Sequence, residues 1–250
     1  MKAIILAAGY ATRLYPLTLK KSKALLEING KPIIDYIVSE LNKIDAIDTI
    51  YVITNGLFAQ DFCDWQKTAT SKVPVVVVND NTTSEETKLG AIGDINYCIN
   101  EQNITDDTLI IAGDNFFDFA LADFYNFHKE HNKDAVCVEE IDDIEQLQRF
   151  AVAKLDGDKI INLVEKPKNP ESNTAVFAIY IYKKDSIALV KKYIEDGNNP
   201  DAPGYFLEWL YKQKEVYAYK IQGHCYDIGT LVSYEGVQKI VKENPHKWSV

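Results

Sequence analysis

The sequence predicts an α/β protein with a Rossmann-like, doubly wound mixed sheet, and three features of its 250 residues carry that prediction. Short runs rich in Val and Ile recur with helical segments between them, the pattern of parallel strands buried on both faces. After about residue 135 the strand-like runs lie closer together, as in a mixed or antiparallel sheet. No repeat, low-complexity tract or Pro/Gly linker divides the chain, so a single domain is expected.

The first strand is "AIILAA" at 3–8. After a long loop, Pro32 suits the first turn of a helix in which Ile33, Ile34, Ile37, Val38 and Leu41 recur at helical spacing. "TIYVIT" at 49–54, "VPVVVV" at 73–78 and "TLIIA" at 108–112 give the remaining strands of a β-loop-α-β-α-β-α-β half. In the second half "AVCVEEI", "FAVAKL", "KIINLVEK" and "AVFAIYIY" read as strands, with a hairpin turn at Asp156-Gly157. A helix from about Ser186, another from Phe206 to Gln213, a strand at "VYAYKI" and a last helix from about Leu231 complete the chain.

A hydrophobic content of 46% is enough for a full core at this length. The 37 acidic residues exceed the 27 basic ones, which argues against a broad nucleic-acid or anionic-membrane surface. Partners should be small molecules or proteins, and a homo-oligomer is compatible with that balance. A local ring of Lys, Arg and metal can still hold phosphates inside an acidic protein. Cys63, Cys98, Cys137 and Cys225 are widely spaced with no CxxC pair, so neither a zinc site nor a disulfide framework is expected. No apolar run approaches the ~20 residues of a membrane span, and a cytoplasmic protein with reduced thiols is predicted. The four histidines show no metal spacing; His128 and His131 share a helix face and read as solvated. Phe116, Phe117 and Phe119 read as packing residues.

The first strand runs into "AAGYATRLYPLTLKKSKALLEINGKP", at the sheet edge where open α/β sheets bind ligands. Ala7, Ala8, Gly9 and Ala11 leave backbone N–H groups uncovered, and Arg13 and Lys23 supply positive charge suited to a triphosphate. Taken alone, the loop reads equally well as an ordinary βα turn; its spacing matches neither a Walker A loop nor GxGxxG. "TLIIAGDNFF" ends a buried strand at Gly113-Asp114-Asn115, so Asp114 should emerge at the same edge.

"LAAGYATRLYPLT", then Ser22-Lys23, then Gly30-Lys31-Pro32 resemble the signature of the sugar-nucleotide pyrophosphorylases, a family that includes glucose-1-phosphate thymidylyltransferase. The resemblance extends to "GDN" at 113–115, "RFAV" at 149–152, "EKP" at 165–167 and "YDIGT" at 226–230. It implies the nucleotide-diphospho-sugar transferase type of fold, with a nucleotide lobe over about 1–134 and a sugar-phosphate lobe with the C-terminal helices over about 135–250. It also implies nucleotide contacts at Leu6, Ala8, Gly9, Ala11, Thr12, Arg13 and Gly90, and sugar-phosphate contacts at Ala151, Glu165, Lys166 and Ala178. Asp114 and Asp227 would hold Mg²⁺, and Arg13, Lys23 and Lys166 would be catalytic. Ala11, Ala151 and Ala178 stand where the family commonly has glycine, and Ser22 replaces a proline. The usual base-reading glutamine is missing; Asn79, Asn81 and Thr83 are the candidates in its place.

The implied reaction joins a nucleoside triphosphate, dTTP or UTP favoured, to a sugar 1-phosphate and releases pyrophosphate. Two other readings stay open. One is a cytidylyltransferase acting on a sugar phosphate or a small amino-alcohol phosphate; the other is a catalytically silent sensor or regulatory subunit. These residues contain no hexapeptide repeat, so no β-helix acyltransferase appendage is expected.

Overall fold

The computed structural model describes residues 1–248, with the side chains of residues 227, 245 and 246 outside the described set. Four parallel strands form one end of a nine-stranded sheet: β1 (Lys2–Leu6), β4 (Thr49–Thr54), β5 (Val75–Asn79) and β6 (Thr108–Ala112), in the order β5-β4-β1-β6. β2 (Glu27–Ile28) and β3 (Lys31–Pro32) make a small separate hairpin.

The two-sided burial behind the prediction is visible in β1. Ala3 and Ile5 face a core with Ile34 and Ile37 of α1 (Ile33–Leu41) and Phe62 of α2 (Ala59–Gln66). Ile4, between them, faces the opposite core with Ile92 and Ile95 of α3 (Ala91–Gln102). Ile4 and Ile5 are both 0% exposed, so truncating either to Ala removes about 2–5 kcal/mol.

A short strand β7 (Asn115–Phe117) and helix α4 (Leu121–His131) lead into the second half. There β8 (Asp134–Glu140), a one-turn helix α5 (Ile144–Leu147), β9 (Ala151–Asp156), β10 (Lys159–Glu165) and β11 (Thr174–Tyr182) follow closely. Next come α6 (Lys184–Glu195), α7 (Pro203–Leu210), β12 (Val216–Lys220), β13 (Cys225–Asp227) and α8 (Leu231–Glu243). β11 runs antiparallel to β6 and β8, β12 parallel to β8, and β10 antiparallel to β12 and β9. β9 also pairs with β11, so β11, β8, β12, β10 and β9 close a ring of strand pairing. The sheet is therefore mixed, as predicted.

The hairpin turn falls at Gly157, whose φ of 58° is the left-handed conformation that a two-residue turn requires. α7 begins three residues earlier than expected because Pro203 starts it, its fixed φ suiting a first helical turn. Two expectations need correction or addition. His128 is not solvated: it is 4% exposed, its Nδ1 lies 2.7 Å from the Lys133 carbonyl, and burial depresses its pKa. β7 and β13 also pair as a separate two-stranded ribbon, Asn115 opposite Asp227, which the sequence pattern did not predict.

Candidate active site

β1 and β6 end side by side, and their carboxyl ends open into a cleft of about 400 Å³. Gly113 makes the close approach there: its N–H donates to the Leu6 carbonyl at 2.8 Å, and a Cβ would lie 2.9 Å from that oxygen. The chain after Gly113 can therefore enter the cleft directly, which delivers Asp114.

The loop after β1 is tied down from three sides. The Asn55 amide donates to the Ala8 carbonyl at 2.8 Å, the buried Tyr10 hydroxyl pairs with Thr82 at 3.0 Å, and the Thr18 hydroxyl donates to the Ala11 carbonyl at 2.8 Å. Ala11 takes φ 47°, ψ 43°, the left-handed geometry that glycine adopts more cheaply, at a cost of about 1–2 kcal/mol. Gly9 is exposed, and a Cβ on it would meet no protein atom within 4 Å. Nothing in the protein's own packing requires glycine at that position. What a side chain there would fill is cleft.

Across the cleft, the Lys23 ammonium lies 2.6 Å from Asp114 Oδ2. The Lys23 side chain is 11% exposed and that of Asp114 is 42% exposed, so the carboxylate is open to the cleft while the lysine supports it from behind. Burial pushes the Asp114 pKa up, but the Lys23 ammonium, and less strongly Arg13, outweigh it and hold the carboxyl below its usual range. Asp114 is thus ionised at neutral pH.

Ala178 and Gly229 also line the cleft. Ala178 sits where the β11–β8 register slips between Val176 and Tyr180, and its carbonyl accepts a hydrogen bond from the Asn115 amide at 3.0 Å. The neighbouring acidic group is Glu165, whose side chain is 6% exposed. Burial raises its pKa to about 7; Lys166, with Nζ 3.8 Å from Glu165 Oε1, opposes that rise and Glu208 adds to it. Gly204 is glycine for this reason: a Cβ there would collide with the Glu165 carboxylate. Lys166 takes φ 48°, strained backbone of the kind concentrated at functional sites, and its side chain is 47% exposed.

The sequence model that matches this chain over residues 2–244 is that of the nucleotidyl transferases. The chain belongs to the nucleotidyl transferase family. It is similar to the glucose-1-phosphate adenylyltransferase of Lachnospira eligens, 31% identical over 94% of this chain and 58% of that protein. It also resembles the UTP–glucose-1-phosphate uridylyltransferase AglF of Haloferax volcanii, 28% identical over 73% of this chain and 72% of that one. Among solved structures, a UDP-glucose pyrophosphorylase complexed with UDP-glucose superposes with a TM-score of 0.83 at 21% identity, covering 97% of this chain and 98% of that one. That likeness establishes the mixed α/β fold. The chain spans about half the length of the first curated relatives it matches, 49% and 51%.

Within this nucleotidyl transferase, Leu6, Ala8, Gly9, Ala11, Thr12, Arg13, Lys23, Gly90, Asp114 and Ala178 all border the one cleft. Glu165, Lys166 and Ala151 do not: Ala151 is 3% exposed, beneath Gly204 at the start of α7. Asp227 stands on β13 opposite Asn115, and its side chain lies outside the described residues. Gly90 is held to glycine by the protein itself, with φ 79° and the Pro200 carbonyl 2.5 Å from any Cβ.

The candidate base readers fare differently. The Asn79 carboxamide accepts the Asn81 N–H at 2.8 Å, and Asn81 donates to the Tyr97 hydroxyl at 2.9 Å, closing a turn away from the cleft lining. The Thr83 N–H is spent on the Thr87 hydroxyl at 3.3 Å. Glu85, Lys88 and Asp94 border the cleft instead. Asp94 carried a readable signal, since a charged residue stands on the helix face that buries Ile95 and Cys98.

Proposed function

We propose that this chain transfers a nucleoside monophosphate from a nucleoside triphosphate to a sugar 1-phosphate and releases pyrophosphate. The observation that carries this is a single cleft in which the open Gly9 loop and Arg13 face the Lys23–Asp114 pair, with Ala178 beyond. The doubly wound half, about 1–134, serves as the nucleotide lobe, and about 135–250 as the sugar-phosphate lobe.

In the reaction an oxygen of the sugar phosphate attacks the α-phosphorus, and the P–O bond to the β-phosphate breaks. Two anions must approach, so the main work is charge stabilisation and alignment. Backbone N–H groups of the loop, from Ala8 through Thr12, hold the phosphates, and Gly9 admits them closely. The Arg13 fork binds their oxygens, and Lys23 neutralises charge at the reacting centre. The family resemblance assigns the sugar phosphate to Lys166 and the sugar hydroxyls to Glu165, although neither residue borders the cleft and the Glu165 side chain is buried.

The donor set fits a hard divalent cation. Asp114 is an ionised carboxylate open to the cleft, and the ribbon register sets Asp227 one residue along on the adjacent strand. Asp114 and Asp227 would hold Mg²⁺, which when bound supplies positive charge to the phosphate oxygens. dTTP and UTP remain the favoured donors, in line with the likeness to a uridylyltransferase and to a structure of a glucose-1-phosphate thymidylyltransferase.

The test is incubation with Mg²⁺ and a panel of nucleoside triphosphates against several sugar 1-phosphates, following pyrophosphate release and product mass. One productive pair is expected. No pyrophosphate from any pair, with nucleotide still bound, overturns the transferase reading.

A further inference from the structure

Tyr10 sits between the open Gly9 and the left-handed Ala11, and although it borders the cleft it is only 6% exposed. Shielding an aromatic ring needs no hydroxyl, since Phe would serve, so the buried oxygen asks for a reason of its own. It lies 3.0 Å from the hydroxyl of Thr82, in the loop after β5. The Thr82 hydroxyl donates its only proton to Asp80 Oδ2 at 3.1 Å, so Tyr10 is the donor in the first link. Burial raises the phenol pKa above its ordinary value of 10, which keeps that proton in place at neutral pH. Asp80 Oδ1 accepts the Thr82 N–H at 2.7 Å, so the far end of the relay is fixed as well.

The relay closes a triangle of braces. β5, β4 and β1 are neighbours in the sheet, and the loops leaving their carboxyl ends are joined in pairs. Asn55, after β4, holds the Ala8 carbonyl of the β1 loop. Gly56, next along, donates its N–H to the Thr82 carbonyl at 2.7 Å, and a Cβ on Gly56 would lie 2.9 Å from that oxygen. Tyr10 and Thr82 supply the third side, which can be removed by taking away one oxygen atom. A left-handed Ala11 persists only where its surroundings over-determine it. Thr18 holds its carbonyl, and Tyr10 holds the residue before it. N–H groups fixed in advance bind phosphate without the cost of ordering the loop.

We propose that Tyr10 is a positioning residue for triphosphate binding: its hydroxyl, donating through Thr82 to Asp80, keeps the Gly9–Arg13 backbone set to receive phosphate oxygens.

This rests on reading the cleft as a nucleotide site, and the test measures binding rather than turnover. Inorganic tripolyphosphate, which has neither base nor sugar, would be titrated calorimetrically into wild type, Tyr10→Phe, Thr82→Val, the double variant and Thr82→Ser. Tyr10→Phe and Thr82→Val should each weaken binding about 3- to 10-fold, the worth of one hydrogen bond, at unchanged stoichiometry. The double variant should bind no more weakly than the weaker single one, because both changes cut the same link. Thr82→Ser keeps the hydroxyl and should bind as wild type does. A merely structural role would lower the binding-competent fraction, and so the stoichiometry, while leaving the affinity of the folded molecules alone. Unchanged affinity in Tyr10→Phe, whether or not the stoichiometry falls, therefore overturns the proposal. Losses that add in the double variant, or a loss in Thr82→Ser as large as in Thr82→Val, overturn it too. Wild type that fails to bind tripolyphosphate also overturns it, and if no nucleoside triphosphate binds either, the nucleotide reading falls with it. Binding without pyrophosphate release fails the transferase reading alone.

Discussion

Gly9 and Gly90 border the same cleft but answer to different constraints. Gly90 is required by its positive φ and by the Pro200 carbonyl, so a methyl there must displace backbone. A methyl at Gly9 meets open space. Gly9→Ala should therefore leave the melting temperature within about 2 °C of wild type, since no packing is lost. It should raise the nucleoside triphosphate KM about tenfold in steady-state assays, and an unchanged KM would mean that the phosphates do not approach this loop. Asp114→Asn keeps the size of the side chain but removes the charge that Lys23 and Arg13 hold in place. Turnover should fall about 10²- to 10³-fold with little change in thermal unfolding; retained turnover would remove Asp114 from the reaction. Gly9, Arg13 and Lys23 were legible in the sequence because they lie in the small-residue loop that follows the apolar run of β1, and Asp114 because it lies just after that of β6. Asp94 was not singled out, although its polarity on an apolar helix face was visible. Its raised pKa depends on burial and on Asp80, which lies just after β5.

At the scale of elements, the ribbon of β7 and β13 decides the geometry beside Asp114. It is fastened by Asp118, whose side chain is fully buried beneath the Lys247 ammonium and accepts the His224 N–H at 2.6 Å and the Tyr226 hydroxyl at 3.1 Å. Trp248 stacks on Phe116 at 4.4 Å, covering the ribbon's other side. Burial drives the Asp118 pKa upward, but Lys247 and the other donors overcome it and keep the carboxyl ionised. Asp118→Ala should cost about 1 kcal/mol in urea unfolding, since it removes charge-assisted hydrogen bonds whose donors on Lys247, His224 and Tyr226 can turn to water. It should also lower kcat and raise the triphosphate KM together, because the ribbon lies beside Asp114 while its Phe116 and Tyr226 pack in one cluster with Ala11 and Leu14 of the loop after β1. Unchanged kcat and KM in the folded variant would deny the ribbon a positioning role. β4 and β6 ended where the sequence placed them, since long two-sided apolar runs define strands without outside help. Strands of three residues such as β7 and β13 have no such run, and each exists only because the other pairs with it.

At the scale of the whole molecule, two buried carboxyls set the pH response. Asp94 at about 8 and Glu165 at about 7 bind protons in the folded state that the unfolded chain releases near pH 4. The folded state therefore holds more protons between about pH 4 and pH 8, so its stability falls as pH rises through that window. Carboxyls with lowered pKa, such as Asp114 and Asp118, act in the opposite sense at acidic pH, and the buried His128, whose pKa is depressed, offsets part of the decline below the ordinary histidine value of 6.5. Urea midpoints should therefore decline from pH 5 to pH 8.5. Asp94→Asn, with no proton to lose, should be more stable than wild type at pH 8.5 and closer to it at pH 5. Parallel curves for the two proteins would show that Asp94 titrates normally. Among the described residues no helix is long and apolar enough to cross a membrane.

By itself the sequence determined the mixed α/β class, the four parallel strands and the loop after β1, because hydrophobic period and small-residue turns are local properties. It also determined which charged residues reach the cleft from strand ends: Arg13 and Lys23 from the β1 loop and Asp114 from β6. Only the tertiary structure decided the closed pairing of β9 with β11, the ribbon beside Asp114 and the depth of Glu165 under Gly204. It likewise decided that Asp94 is buried beside Asp80. Burial and charge proximity are set by segments distant in the chain, and no spacing along one segment records how closely another will pack against it.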